Sequence, residues 1–114
     1  MRCLCLTVFW LLVVSPLTLA DDNDAQVQEI LAKADPAYGE YLSGQCVTCH
    51  HATGDYKGIP AIVGLQANYL VKSMLDYKNA VQGRTNPAMV NIAKNLSDEE
   101  LGSLAQYLSE QQSK

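Results

Sequence analysis

The stretch Cys46-Val47-Thr48-Cys49-His50 decides how the rest of the chain is read. C-x-x-C-H is the attachment pattern of a c-type haem. Cysteines three positions apart sit about one helical turn from each other, so both thiols reach the two vinyl groups of one porphyrin and form thioethers. His50 then lies under the iron and offers an imidazole nitrogen as proximal ligand. Other uses of the spacing leave gaps. A thioredoxin-type redox pair expects a βαβ setting. A structural zinc site needs a second set of Cys or His, and only His51 is left over. A plain Cys46–Cys49 disulfide gives His50 no role.

Upstream of the motif, residues 1–20 read as a secretory signal peptide. Arg2 supplies a positive start, an apolar run extends from Cys3 to Val14, and Thr18-Leu19-Ala20 offers small residues for a peptidase. The run is shorter than the roughly 20 residues a bilayer span needs, although an uncleaved N-terminal anchor competes with this reading. Removing twenty residues from 114 leaves 94, and only Cys46 and Cys49 of the four cysteines remain. All twelve acids lie beyond Ala20 but only seven of the eight basic residues do, which gives the mature chain a charge of −5. An acidic chain of this size lacks the basic face that nucleic acids require. Export places the thiols in an oxidising compartment, the periplasm. So short a chain makes one domain with a small core, and such domains usually need a staple. A covalent haem is both staple and apolar body.

The remaining pattern is helical. Asp21 to Asp24 is expected to fray, and Ala25 to Ala34 forms a short helix with Val27, Ile30 and Leu31 on one face. Asp35-Pro36 starts the next helix, with Asp as N-cap and Pro at the first position, and it runs to about Gln45. Gly39 inside it costs up to about 1 kcal/mol against Ala, which points to close approach of another helix. Ala52 to Gly64 has loop chemistry. Gln66 to Val81 is the longest internal helix, with a stripe of Leu70, Met74, Tyr77 and Val81 and Gly83 as its C-cap residue. Ala88 to Asn95 is a short helical turn. Ser97-Asp98-Glu99-Glu100 is a capping box, flanked by a Leu96–Leu101 staple, and Leu101, Leu104, Ala105 and Leu108 form the buried stripe behind it. No strand signal and no repeat occurs. The mature domain is expected to be all-α.

With these pieces located, the chain resembles the class I c-type cytochromes, in their short bacterial periplasmic branch of the c-553 type, over roughly residues 36–111. The matching residues are Gly39, Tyr41-Leu42, the C-x-x-C-H, Gly58-Ile59-Pro60-Ala61-Ile62-Val63-Gly64, Tyr69-Leu70, Gly83-Arg84, Met89, Leu96 to Leu101 and Leu104 to Leu108. The acidic segment before Asp35 is a departure. The resemblance implies four to five short helices wrapped around one haem, with the first and last family helices crossing near Gly39. It divides the chain into a signal (1–20), an N-terminal extension with a short helix (21–34) and a cytochrome domain (35–114).

The resemblance also assigns roles. Cys46 and Cys49 hold the haem, and His50 and Met89 are axial ligands. A backbone carbonyl at Pro60 steadies the histidine, and Arg84 neutralises a propionate. Each has a plainer alternative. Met89 also falls on a helical stripe with Ile92, Ala93 and Leu96, and Met74 is a second methionine of core type. Pro60 also stiffens a loop, Arg84 also suits a solvated surface, and His51 reads as solvent-facing. Lys57, Lys72, Lys78 and Lys94 read as ordinary exposed lysines or as a docking ring. Ile62, Leu65, Leu70, Leu101 and Leu104 are the expected apolar walls. The implied function is one-electron transfer between redox proteins, not enzymatic chemistry and not stable membrane insertion. The alternative is the electron-accepting haem subunit of a periplasmic dehydrogenase, such as a flavoprotein sulfide dehydrogenase.

Overall fold

The computed structural model describes residues 21–111; the proposed signal, residues 1–20, lies outside the described residues. Within them the chain forms α1 (Asp22–Ala32), α2 (Pro36–Ser43), α3 (Ala67–Lys78), α4 (Pro87–Asn95) and α5 (Asp98–Glu110). The one β feature among the described residues is an isolated bridge between Tyr56 and Ile59. The architecture of the described residues is all-α, with the five short helices that the resemblance implies. α5 is the hub: α1, α2 and α3 all pack on it, α1 also packs on α3, and α4 packs on α3.

Local chemistry explains most helix starts. Asp35 Oδ1 accepts the N–H groups of Ala37 (3.0 Å) and Tyr38 (3.4 Å), with Pro36 as the first residue of α2. Asn86-Pro87 repeats the device for α4, where Asn86 Oδ1 accepts from Ala88 (3.0 Å) and Met89 (3.3 Å). α4 therefore begins one residue before the expected Ala88. The capping box of α5 is complete: Ser97 Oγ accepts the Glu100 N–H at 3.2 Å, and Glu100 Oε2 accepts the Ser97 N–H at 2.8 Å. Glu100 Oε1 also accepts from the Tyr38 hydroxyl at 3.0 Å, which ties α2 to the start of α5.

Two glycines set the helix crossings. A Cβ built on Gly39 would collide with the Ser103 carbonyl oxygen and lie 2.6 Å from its carbon and 2.8 Å from Tyr107 Cβ. α2 and α5 thus meet backbone to backbone at Gly39, as the mid-helix glycine suggested. The contact is reinforced by buried Ser103, whose Oγ accepts the Asp35 N–H at 3.0 Å. Gly102 does the same for α1, since its Cβ would sit 2.6 Å from the Ile30 carbonyl oxygen.

The core joins α1, α3 and α5 through Val27, Ile30, Leu70, Val71, Leu75, Leu101, Ala105 and Leu108, with Ile62, Val63 and Leu65 of the long loop packed against it. Each fully buried aliphatic side chain here contributes about 1.5–3 kcal/mol. α1 starts at Asp22, so the acidic residues expected to fray are its first turn, where carboxylates favour the helix dipole.

The stripe expected on α3 is shifted. Leu70, Val71 and Leu75 are the buried residues, Met74 and Tyr77 are half-buried, and Val81 is exposed beyond the helix end. The helix stops early because Ala80, not Gly83, takes the left-handed conformation (φ 49°). Ala80 N–H bonds Tyr77 O (3.1 Å) and Val81 N–H bonds Asp76 O (2.9 Å), the paired bonds of a Schellman end. Gly83 (φ 86°) instead closes the following turn, with Arg84 N–H on Val81 O at 2.8 Å. Lys78, at the end of α3, is no free surface lysine: its ammonium bonds Leu96 O (2.7 Å) and Asp98 Oδ1 (3.3 Å).

Candidate haem-binding site

The motif is one irregular helical turn hung from the end of α2. Cys46 N–H bonds Ser43 O (2.9 Å), and both Cys49 N–H (3.2 Å) and His50 N–H (2.9 Å) return to Cys46 O. That winding puts the two cysteines a turn apart. Thr48 Oγ1 bonds Gln45 O at 2.9 Å and keeps the turn closed. Both thiols are free, Cys46 half-buried and Cys49 exposed. Burial pushes the Cys46 thiol pKa up. A reactive redox thiol needs the opposite, a pKa pulled down. No group of three or more His, Cys, Asp or Glu among the described residues is arranged to hold a metal ion.

His50 is buried, and its Nδ1 lies 2.6 Å from the Pro60 carbonyl oxygen. A carbonyl only accepts, so Nδ1 carries the proton and Nε2 presents a lone pair. The loop that brings Pro60 there is tightly folded. Tyr56 and Ile59 exchange both backbone bonds (3.0 and 2.9 Å) around Lys57 (φ 50°) and Gly58 (φ 79°), the left-handed pair of a type I′ turn. Downstream, Gly64 N–H bonds Leu108 O at 2.9 Å and pins the loop to α5.

The other two candidates lie on the α3–α4 side. Arg84 is half-buried against α3, its guanidinium 3.3 Å from the Tyr69 hydroxyl, 3.4 Å from Ser73 Oγ and 5.4 Å from the Tyr77 ring centroid. The hydrogen bond from Arg84, helped by Ser73, lowers the Tyr69 pKa. Met89 is half-buried in the first turn of α4, its N–H on the Asn86 cap. Met74 packs against the core cluster. His51 is exposed, yet it is not simply solvated: its ring stacks on Tyr56, centroids 4.7 Å apart and 9° from parallel. Of the expected walls, Leu70 and Leu101 lie inside the α1–α3–α5 core and Ile62 and Leu65 pack on it, whereas Leu104 is buried outside that cluster.

Two thiols a turn apart, beside a histidine with its Nε2 lone pair free, match the donor set of a c-type haem. The cytochrome subunit of sulfide dehydrogenase from Chlorobaculum tepidum is 32% identical over 103 residues, covering 85% of this chain and 92% of the relative. Cytochrome c-554(548) of Halomonas halodenitrificans is 35% identical over 83 residues, 68% of this chain and 98% of the relative. The chain belongs to the class I c-type cytochromes. Cytochrome c-553 of Nitratidesulfovibrio vulgaris is a further relative, 35% identical over 77 residues, 64% of this chain and 76% of its own. No protein-family model matches the chain. As a class I cytochrome the protein is an electron carrier, not an enzyme. No helix among the described residues is long and apolar enough to cross a membrane.

Sequence reasoning found the motif and Pro60 but not Asp55, Tyr56 or Asn86. Asn86-Pro87 carried the same signature as Asp35-Pro36. Tyr56 carried no local signal, because its partner is reached only through the turn.

Proposed function

We propose that this cytochrome carries one haem, bound covalently through Cys46 and Cys49, with His50 and Met89 as its axial ligands. It is exported to the periplasm by residues 1–20 and passes single electrons between redox proteins. The observation that carries this reading is the 2.6 Å contact between His50 Nδ1 and Pro60 O. It selects the tautomer that leaves Nε2 for iron and fixes the ring plane, and such a partner also raises the basicity of a ligating histidine.

Haem c supplies one reversible iron-centred electron; the protein residues fix where and at what potential. Cys46 and Cys49 anchor the group to the turn after α2. Asn86 holds the backbone of Met89 at the start of α4, which packs on α3. A thioether there would be the second protein ligand of the haem iron; as such it would exclude small ligands and raise the potential. Arg84, held by Tyr69, Ser73 and Tyr77, would supply positive charge for a haem propionate. We begin the cytochrome domain at residue 35, and α1, before it, packs on α3 and α5.

The test is Met89→Ala in the exported, haem-bearing protein. The potential falls and carbon monoxide binds the reduced form; an unchanged potential without new ligand binding refutes the assignment. A second reading, a fixed subunit of a dehydrogenase, is favoured by the relative named as a sulfide dehydrogenase subunit, which this chain matches over 92% of its length. Purification from periplasm separates the two: a lone monohaem species supports the free carrier, and a stoichiometric flavoprotein companion supports the subunit.

A further inference from the structure

The Pro60 carbonyl that faces His50 shares a peptide plane with the Ala61 N–H. That N–H is held by Asp55 Oδ1 at 2.9 Å. A carbonyl and the following N–H point in opposite directions, so Asp55 on one side and His50 on the other fix the plane between them. Asp55 itself begins the type I′ turn unit, whose Tyr56–Ile59 bonds make residues 55–61 one stiff piece. Two ties join that piece to the motif across the Ala52-Thr53-Gly54 link. One is the His50–Pro60 bond. The other is the stack of Tyr56 on His51, the residue that follows His50 in the chain. Both Asp55 and Tyr56 are exposed, so neither is needed to fill the core.

We propose that Asp55 and the Tyr56–His51 stack are positioning residues that hold the Pro60 carbonyl against His50 Nδ1 and thereby set the reduction potential. The proposal rests on His50 being an axial ligand. A firm acceptor on Nδ1 makes the imidazole a stronger donor and favours the oxidised metal. Loosening the acceptor therefore raises the potential.

The experiment compares four variants of the haem-bearing protein by redox titration and by NMR of the His50 ring. Asp55→Ala and Tyr56→Ala break the two ties. Asp55→Asn keeps an acceptor without the charge, and Tyr56→Phe keeps the stack without the hydroxyl. The two alanine variants should raise the reduced-to-oxidised ratio at fixed potential about threefold, roughly 28 mV at 59 mV per tenfold for one electron. They should also speed solvent exchange of the His50 Nδ1 proton and the Ala61 amide. Both conservative variants should stay near wild type. If Asp55→Asn shifts the potential as much as Asp55→Ala, charge and not positioning is responsible and the proposal falls. It falls equally if Tyr56→Ala leaves potential and exchange unchanged. Failure of the ligand assignment shows separately: the wild-type His50 ring would then lack paramagnetically shifted resonances.

Discussion

Replacing Gly39 with alanine tests the helix crossing on which the fold depends. The new methyl would overlap the Ser103 carbonyl oxygen and lie 2.6 Å from its carbon, against 3.4 Å or more for ordinary contact. Both groups belong to the α5 backbone, so no rotamer change relieves the clash and the helices must part by about 1 Å. Overpacking of this kind costs about 1–3 kcal/mol. Separation also weakens the Asp35–Ser103 bond (3.0 Å), worth about 1 kcal/mol, while alanine's helix propensity returns about 1 kcal/mol. The net loss is about 1–3 kcal/mol, or roughly 4–24 °C in Tm for a domain of this size. Gly44→Ala is the control, because a Cβ there meets only Tyr41 O at 3.8 Å. Thermal unfolding of the haem-bearing protein should separate the two variants clearly. A Gly39→Ala variant within about 0.5 kcal/mol of wild type, or one matched by Gly44→Ala, would refute the crossing.

Three other outcomes follow from the same geometry. Ala80 sits at φ 49° in the C-terminal turn of α3, a conformation costing a non-glycine residue about 1–2 kcal/mol. Ala80→Gly should therefore stabilise, by about 0.5–1 kcal/mol after the extra chain entropy of glycine is subtracted, as read by urea unfolding. Gly102→Ala should drive α1 off α5 at Ile30, seen as faster amide exchange in residues 22–32 with the α2–α5 crossing still protected. Glu100 has its pKa lowered, first by the Ser97 N–H and then by the Tyr38 hydroxyl. Its cap therefore stabilises fully above the ordinary carboxylate pKa and is lost as pH falls through the lowered native value. Glu100→Gln, which accepts a hydrogen bond but does not titrate there, should flatten the acid limb of a Tm–pH curve below the ordinary carboxylate pKa, where the wild type loses this cap.

What was legible in the sequence was local. Asp35-Pro36 and Ser97 to Glu100 announce helix starts because each cap is satisfied within four residues. Gly39 was legible because a mid-helix glycine needs a reason, and Ser103 supplies it. The α3 register was not, because the left-handed residue that ends the helix is an alanine, and glycine is the only strong sequence signal for that conformation. The docking of α1 was half legible: Val27 and Ile30 mark its face, but Gly102, seventy residues away, is what lets it seat. At the site, the motif spacing could be read directly, whereas the role of the Pro60 carbonyl came only with the family resemblance. Asp55, Tyr56 and His51 act through a turn whose geometry appears only once Lys57 adopts a positive φ, so their roles had no linear signature. Lys78 likewise looked like surface charge and instead braces the α4–α5 junction.

The account turns on which side chain faces His50 across the iron. X-ray absorption at the iron edge of the exported protein measures that directly by counting sulfur neighbours. One sulfur scatterer is predicted in wild type and in Met74→Ala, and none in Met89→Ala. A wild-type spectrum without sulfur, or a sulfur that survives Met89→Ala and disappears in Met74→Ala, would contradict it.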